Sequence, residues 1–291
     1  MSPAVQVKDL HHTYLPGTPF EAVSLQGMNM EVHQGEIVSI IGPTGSGKST
    51  LIQHFNGLIR PQRGKVTVLG QDLTDERVDI RQLRRQVGMI FQSPEQQLFE
   101  QYVGDDIAFG PRNFGLDAQE VRRRVKDAME IVGLDFQQFK DRLTFTLSGG
   151  EMRKVAIAGV LALKPRILVF DEPTCGLDPA TSGEFLSKIK ELRQSQEATI
   201  ILVSHDMESV AQLSDRVYVI VEGRGVLQGT PRQIFSQSEL LRGYGLDCPQ
   251  VTQVMHALRS RGRRVRVDLL SVGEAEAEIS KSFDLARTGA G

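Results

Sequence analysis

The segment Gly42-Pro-Thr-Gly-Ser-Gly-Lys48-Ser49 fits the pattern G-x-x-x-x-G-K-[ST], and its residue types suit one task, the holding of a polyphosphate. Glycines at 42, 45 and 47 let the backbone through Pro43, Thr44 and Ser46 curl until N–H groups converge on an anion. Lys48 adds a fixed cation for the β and γ phosphates, and Ser49 offers a hydroxyl to Mg²⁺. From Ser49 and Thr50 onward the pattern is helical, which aims the positive end of a helix at the same phosphates. A fortuitous glycine-rich turn is the rival reading; the strand pattern before the loop and the helix pattern after it weigh against it.

Asp171 and Glu172 stand side by side after the apolar run Ile167 to Phe170. A carboxylate there can hold Mg²⁺ through water opposite Ser49, and its neighbour can orient, or take a proton from, a water attacking the γ-phosphate. His205 follows a third apolar run, Thr199 to Val203, although a lone histidine after a strand is more often structural. Ser148 and Glu151 stand in capping-box register, which alone is ordinary helix-start chemistry. Gln92 alone reads as a surface glutamine. Tyr14 is an aromatic that a core could equally use, with His11 and His12 as nearby rivals.

These groups need a scaffold. Glu36 to Ile41 is a β-branched run that stops at Gly42, and with the runs at 167–170 and 199–203 it reads as short buried strands separated by helical segments. That alternation predicts an α/β fold with a mostly parallel sheet covered on both faces, its ligands at the carboxyl ends of the strands. Between the strands, Asp117 to Val132 and Ser148 to Leu163 show helical periodicity with caps, a helical insert. After about residue 230 the pattern weakens, and five arginines in 259–266 with Glu274, Glu276 and Glu278 beyond them read as a solvated helix face and a frayed tail.

Composition narrows the class. Of 291 residues, 40% are hydrophobic, and 34 Lys and Arg face 36 Asp and Glu, a balance ill suited to bulk nucleic acid or an anionic membrane surface. Cys175 and Cys248 lack C-x-x-C spacing, against a zinc site or a disulfide framework. The early residues show no secretory h-region, and the longest apolar runs reach nine residues where a membrane span needs about twenty. Any membrane role is expected to be peripheral.

The order of phosphate loop, Gln92, Leu147-Ser-Gly-Gly-Glu151, Asp171-Glu172, Gly176-Leu-Asp178 and His205 resembles the ATP-binding cassette ATPases along residues 5–230. Shorter stretches, Pro16-Gly-Thr-Pro-Phe-Glu21, Gln92-Ser-Pro-Glu-Gln-Gln-Leu-Phe-Glu100, Phe109-Gly-Pro111 and Val155-Ala-Ile-Ala-Gly-Val160, resemble the energy-coupling-factor transporter ATPases of prokaryotic micronutrient uptake. The resemblance implies a P-loop NTPase (RecA-like) core at 1–91 and 164–230, a helical insert at about 92–163, and a small C-terminal extension at 231–291. It implies that Ser148, Gly149, Gly150 and Glu151 clasp the γ-phosphate bound to a second subunit. Gln92 would touch Mg²⁺ and the attacking water, Glu172 and His205 would act on that water, Tyr14 would stack on adenine, and Asp178 would cross to the partner. Glu151 stands where Gln is commonest and Cys175 where Ala is usual.

The resemblance thus implies an ATP-hydrolysing importer subunit with ATP and Mg²⁺ as cofactors, on the cytoplasmic face of the membrane, carrying vitamins or transition-metal ions. Its partners would be a second ATPase subunit, the same chain or a related one, a transmembrane coupling subunit and a separate substrate-binding membrane subunit, with no nucleic acid. Leu98 and Phe99 are read as the floor of a groove for a partner's helix. The alternatives are another importer class or a non-transport cassette ATPase. Chromosome-maintenance relatives need a long coiled coil between Lys48 and Ser148, and no sustained heptads occur there. A two-cassette translation factor needs a second phosphate loop, and a degenerate scaffold would lack Lys48, Asp171, Glu172 and His205.

Overall fold

The computed structural model describes residues 2–175, 179–196 and 198–288. Strands β1 (Val5–Tyr14) and β2 (Ala22–Val32) form a hairpin, and after it come β3 (Ile37–Ile41), helix α1 (Lys48–Phe55), β4 (Arg63–Val68), β5 (Gln71–Asp72), α2 (Ile80–Gln86) and β6 (Val87–Ile90). Helices α3 (Val103–Asn113), α4 (Ala118–Ile131), α5 (Phe136–Phe139) and α6 (Gly149–Leu161) succeed them. The chain then forms β7 (Ile167–Asp171), α7 (Pro179–Gln196), β8 (Thr199–Val203), α8 (Met207–Leu213), β9 (Arg216–Val221) and β10 (Arg224–Gly229).

The central sheet has the order β10-β9-β3-β8-β7-β6. Its members from β9 to β6 run parallel, and β10 is an antiparallel edge. All five residues of β3 are buried, as a strand with helices on both faces requires. Its one polar side chain, Ser39, is satisfied by Ser214 Oγ at 2.5 Å. The three strands read from apolar runs therefore lie side by side, and their carboxyl ends open on one edge.

A second sheet, β2-β1-β4-β5, is antiparallel and was not legible in the sequence. The alternation of β1 is broken at Lys8 and Asp9, where the register shifts and Asp9 takes a φ of 45°. A bulge there moves the buried set from Val5 and Val7 to Leu10 and His12. This sheet packs on Leu51, Ile52 and Phe55 of α1.

The helices between β6 and β7 bear out their caps. Asp117 accepts from Glu120 N at the start of α4, and Ser148 and Glu151 complete a capping box at the start of α6. Their apolar faces meet at Val103, Ile107, Val121, Val125, Met129 and Val155. Leu98 packs against this same cluster, which corrects the expectation that it floors an open groove. Phe99 is 62% exposed, its ring set edge-on against Phe109 at 4.6 Å.

Beyond residue 230, where the pattern weakens, the extension forms helices α9 (Pro231–Phe235), α10 (Ser238–Gly243), α11 (Gln250–Ser260) and α12 (Val272–Thr288). The signal was local: Thr230 and Gln233 form a capping box with Pro231 in the first turn. Ile234, Phe235, Leu241 and Leu246 pack against Val217 and Val219 of β9 and Val210 of α8. Met255, Val265, Leu269 and Ala275 form a smaller core of their own. Of the basic run, Arg266 pairs with Asp268 at 2.9 Å. No helix among the described residues is long and apolar enough to cross a membrane.

Phe235 is fully buried where this extension meets β9. Phe235→Ala should lower unfolding free energy by about 3–5 kcal/mol, measured by chemical denaturation of the full chain; a loss under about 1 kcal/mol would mean that the contact is loosely packed.

Candidate functional site

The phosphate loop joins β3 to α1, and its tightness comes from close approaches that exclude a Cβ. At Gly42 a Cβ would stand 2.1 Å from the Ile220 carbonyl oxygen. Gly47 has a φ of 99°, and a Cβ there would stand 2.4 Å from Ser24 O. Ser46 N donates to Pro43 O at 3.2 Å and Ser46 O accepts from Gly223 N at 3.0 Å, so the loop is pinned to the β9–β10 turn. Lys48, 7% exposed, donates to the carbonyls of Gly42 and Pro43 at 2.8 and 2.9 Å. Burial pulls its ammonium below the ordinary lysine range, and the carboxylates of Glu172 and Asp171 oppose that shift.

Both acids lie across the cleft at the end of β7. Burial raises the Asp171 carboxyl above its ordinary range, against a hydrogen bond from Ser49 and the charge of Lys48. Glu172 adopts a left-handed φ of 51°, and its backbone N–H donates to Val203 O at 2.9 Å. Burial raises its carboxyl too, while a hydrogen bond from the His205 backbone opposes the shift. His205 N donates to Glu172 Oε2 at 3.1 Å, and His205 Nε2 lies 3.3 Å from Oε1. That second approach is close but poorly aligned, and buried Oε1 has no hydrogen-bond partner among the described residues. The His205 imidazole is held below its ordinary range by burial and by Lys48.

Thr44, Gly45, Lys48, Ser49, Gln92, Asp171, Glu172 and His205 together line one open cleft of ≈ 960 Å³. Ser49 and Asp171 give it a pair of hard oxygen ligands, already hydrogen-bonded and partly desolvated, a donor set that fits Mg²⁺. Gln92 approaches Cys175 Sγ at 3.8 Å. Tyr14, 40% exposed, sits beside the loop: its hydroxyl meets Thr50 Oγ1 at 3.1 Å, and that oxygen also accepts from Ser24 Oγ at 2.7 Å. Behind Tyr14, the rings of His12 and His54 stack edge-on in sequence. Burial lowers both, His54 to about 4.

Ser148, Gly149, Gly150 and Glu151 are not brought to this cleft; they form the first turn of α6. Glu151 accepts from Ser148 N at 2.7 Å, which lowers its carboxyl, and Arg142 Nη1 lies 3.0 Å from its other oxygen. Asp178 lies outside the described residues. No sequence signal pointed to Arg153, which reads as a solvated helix position yet turns its guanidinium into the loop after β7. Nor did one flag Gln250 of α11, whose N–H donates to Glu208 Oε1 at 2.8 Å at the cleft wall.

The pattern of the ABC transporter family matches residues 25–175. The chain is 44% identical to the energy-coupling factor transporter ATP-binding protein EcfA2 of Clostridium tetani, over 97% of this chain and 98% of that protein. It is 47% identical to the protein of the same name from Caldanaerobacter subterraneus, over 94% and 96% of the two chains. Among solved structures it is similar to cbiO1 of Clostridium perfringens, part of the ABC transporter complex cbiONQ, with a TM-score of 0.75 and 36% identity over 89% of this chain and all of that one. The dimeric cassette MJ0796, bound to ADP and Pi in a post-hydrolysis state, aligns with a TM-score of 0.69 and 26% identity over 78% and 98% of the two chains.

Because burial raises the Glu172 carboxyl, the folded chain binds that proton more tightly than the unfolded chain does. Stability therefore falls as pH rises from the ordinary value of 4.5 through the folded one. Glu172→Gln should melt higher than the native chain at pH 7, with the gap closing near pH 4. Equal melting temperatures at pH 7 would show that the carboxylate is not held at a cost.

Proposed function

The chain belongs to the ABC transporter family, among its energy-coupling factor ATP-binding proteins, and on that premise we propose how its residues hydrolyse ATP for an importer. The observation that carries the reading is the gathering of Lys48, Ser49, Asp171, Glu172 and His205 in one cleft at the strand ends, with Ser148 to Glu151 outside it. Lys48 and the loop backbone bind the β and γ phosphates, and Ser49 and Asp171 hold Mg²⁺, with Gln92 reaching the same ion. Bound Mg²⁺ supplies neutralisation of the charge spread over the phosphate oxygens. Glu172, whose burial makes its carboxylate more basic, takes a proton from the attacking water at a carboxylate oxygen. His205 orients that water and the γ-phosphate. Tyr14 stacks on the adenine. Most of the rate comes from positioning and from fixed charges in a site with little water.

The first turn of α6 offers the Gly149 and Gly150 backbone N–H groups at the positive end of a thirteen-residue helix, beside a Ser148 hydroxyl that donates to Glu151, a place for an anion. Since the chain's own cleft does not include that turn, the anion is the γ-phosphate carried by a second ATPase subunit, and Asp178 crosses at the same junction. Closure of the pair excludes water; hydrolysis lets it reopen. A transmembrane coupling subunit docks near exposed Phe99 and Phe109, and a further membrane subunit binds the cargo, a vitamin or a transition-metal ion. The chain works at the cytoplasmic face of the membrane.

Lys48→Ala should weaken ATP binding by about 10–100-fold, the loss of a charged hydrogen-bond donor, and unaltered affinity in equilibrium binding would sink the phosphate-loop assignment. Glu172→Gln should keep ATP affinity, lower turnover by about 10²–10⁴-fold and trap the paired state, seen as a larger particle in sizing with ATP. Near-native turnover in that variant would refute the general base. Phe99→Ser should weaken capture of the membrane partner with little change in melting temperature, whereas Leu98→Ser should lower melting temperature first. If Phe99→Ser holds its partner as well as the native chain does, docking lies elsewhere.

A further inference from the structure

Arg153 lies on α6, five residues past Ser148, and its guanidinium leaves that helix to reach the loop after β7. Nη1 donates to Cys175 O at 3.1 Å, and Nη2 donates to Pro173 O and, at 3.5 Å, to Glu172 O. Burial holds the guanidinium below its ordinary range, with the charge of Glu95 opposing the shift, and among the described residues its Nε is buried without a hydrogen-bond partner. A cation desolvated to hydrogen-bond carbonyl oxygens is a poor stabilising device. It is a good way of fixing peptide planes.

The peptides it fixes flank Glu172. That residue's N–H is tied to Val203 O at 2.9 Å on one side, and its carbonyl faces Arg153 Nη2 and accepts from Cys175 N at 3.2 Å on the other. Between them Glu172 sits at a φ of 51°, a conformation that a non-glycine residue keeps only where its surroundings impose it. Removing Arg153 leaves that carbonyl to Cys175 N alone among the described residues.

We propose that Arg153 is a positioning residue for hydrolysis, holding Glu172 in its left-handed conformation and tying it to the helix whose first turn serves the second subunit's nucleotide. The proposal rests on the function proposed above. It adds that one rigid stretch of α6 links the two nucleotide sites of the pair: Ser148 to Gly150 at one end meet the neighbour's γ-phosphate, and Arg153 meets the chain's own catalytic loop.

The test uses the assembly that copurifies with the full chain from host membranes, assayed for kcat, KM for ATP and melting temperature, beside ATP binding by the chain alone. Arg153→Met should lower kcat by about 10-fold or more, as misplaced catalytic groups do, with KM and ATP affinity within about twofold and melting temperature unchanged. Arg153→Lys, which keeps donors on a shorter reach, should recover part of the loss. Native kcat in Arg153→Met overturns the proposal, as does a parallel loss of kcat, affinity and melting temperature, the mark of a merely structural residue. If Arg153→Met does not fold, Arg153→Lys and Arg153→Gln decide: reduced kcat at native KM in both supports positioning, and native kcat in both overturns it. The underlying function is checked separately by Lys48→Ala in the same assembly. Turnover undiminished there removes the premise, whereas turnover that depends on Lys48 but not on Arg153 refutes this proposal alone.

Discussion

A desolvated balance of charge, one ammonium against two carboxylates, governs the architecture around the cleft. Lys48 opens α1 after the loop that follows β3, Asp171 ends β7 and Glu172 follows it; burial shifts each toward its neutral form, the two carboxylates oppose the shift of Lys48, and Lys48 opposes theirs. Separated, any one of them would be an uncompensated buried charge. Held together they keep strong fields in a small space, which is what a phosphoryl group with spreading negative charge requires. The parallel sheet is the means: adjacent strands in fixed register bring residues far apart in sequence to one edge, and His205 arrives there at the end of β8 by the same route.

Helix α6 presents the complementary case, a helix start settled by local chemistry. Ser148 and Glu151 satisfy the helix start with their own side chains, and Arg142 takes up the second oxygen of Glu151. A carboxylate at this position, in place of the commoner amide, is thus already engaged within the chain. The Gly149 and Gly150 backbone stays open, with no atom near where a Cβ would stand at either residue.

The parts of the fold legible from sequence were those written in a single local pattern. The β3, β7 and β8 runs are short, mostly apolar stretches, and the caps of α4 and α6 need only four residues each. The antiparallel sheet was hidden because bulges at Asp9 and beyond interrupt the period that would announce it. Helices α9 and α10 were hidden because they are short and bury their apolar residues against β9 and α8, distant in sequence. Leu98 and Phe99 are adjacent apolar residues with opposite fates, one in the insert cluster and one in solvent, a distinction no composition carries. The site was readable where a motif fixes spacing, as from Gly42 to Ser49. It was unreadable for Arg153, whose partners are backbone carbonyls, and a carbonyl has no letter in the sequence.

The histidines behind Tyr14 make an unusual backing for an exposed ring. His12 and His54 are buried edge-on in a line behind it, and burial lowers the affinity of both for a proton, His54 to about 4. Exposed imidazoles gain charge as pH falls through the ordinary histidine range, and burial holds these two back from doing so. The wall beside the phosphate loop is therefore slower to change its charge with pH than a surface built from the same residue type.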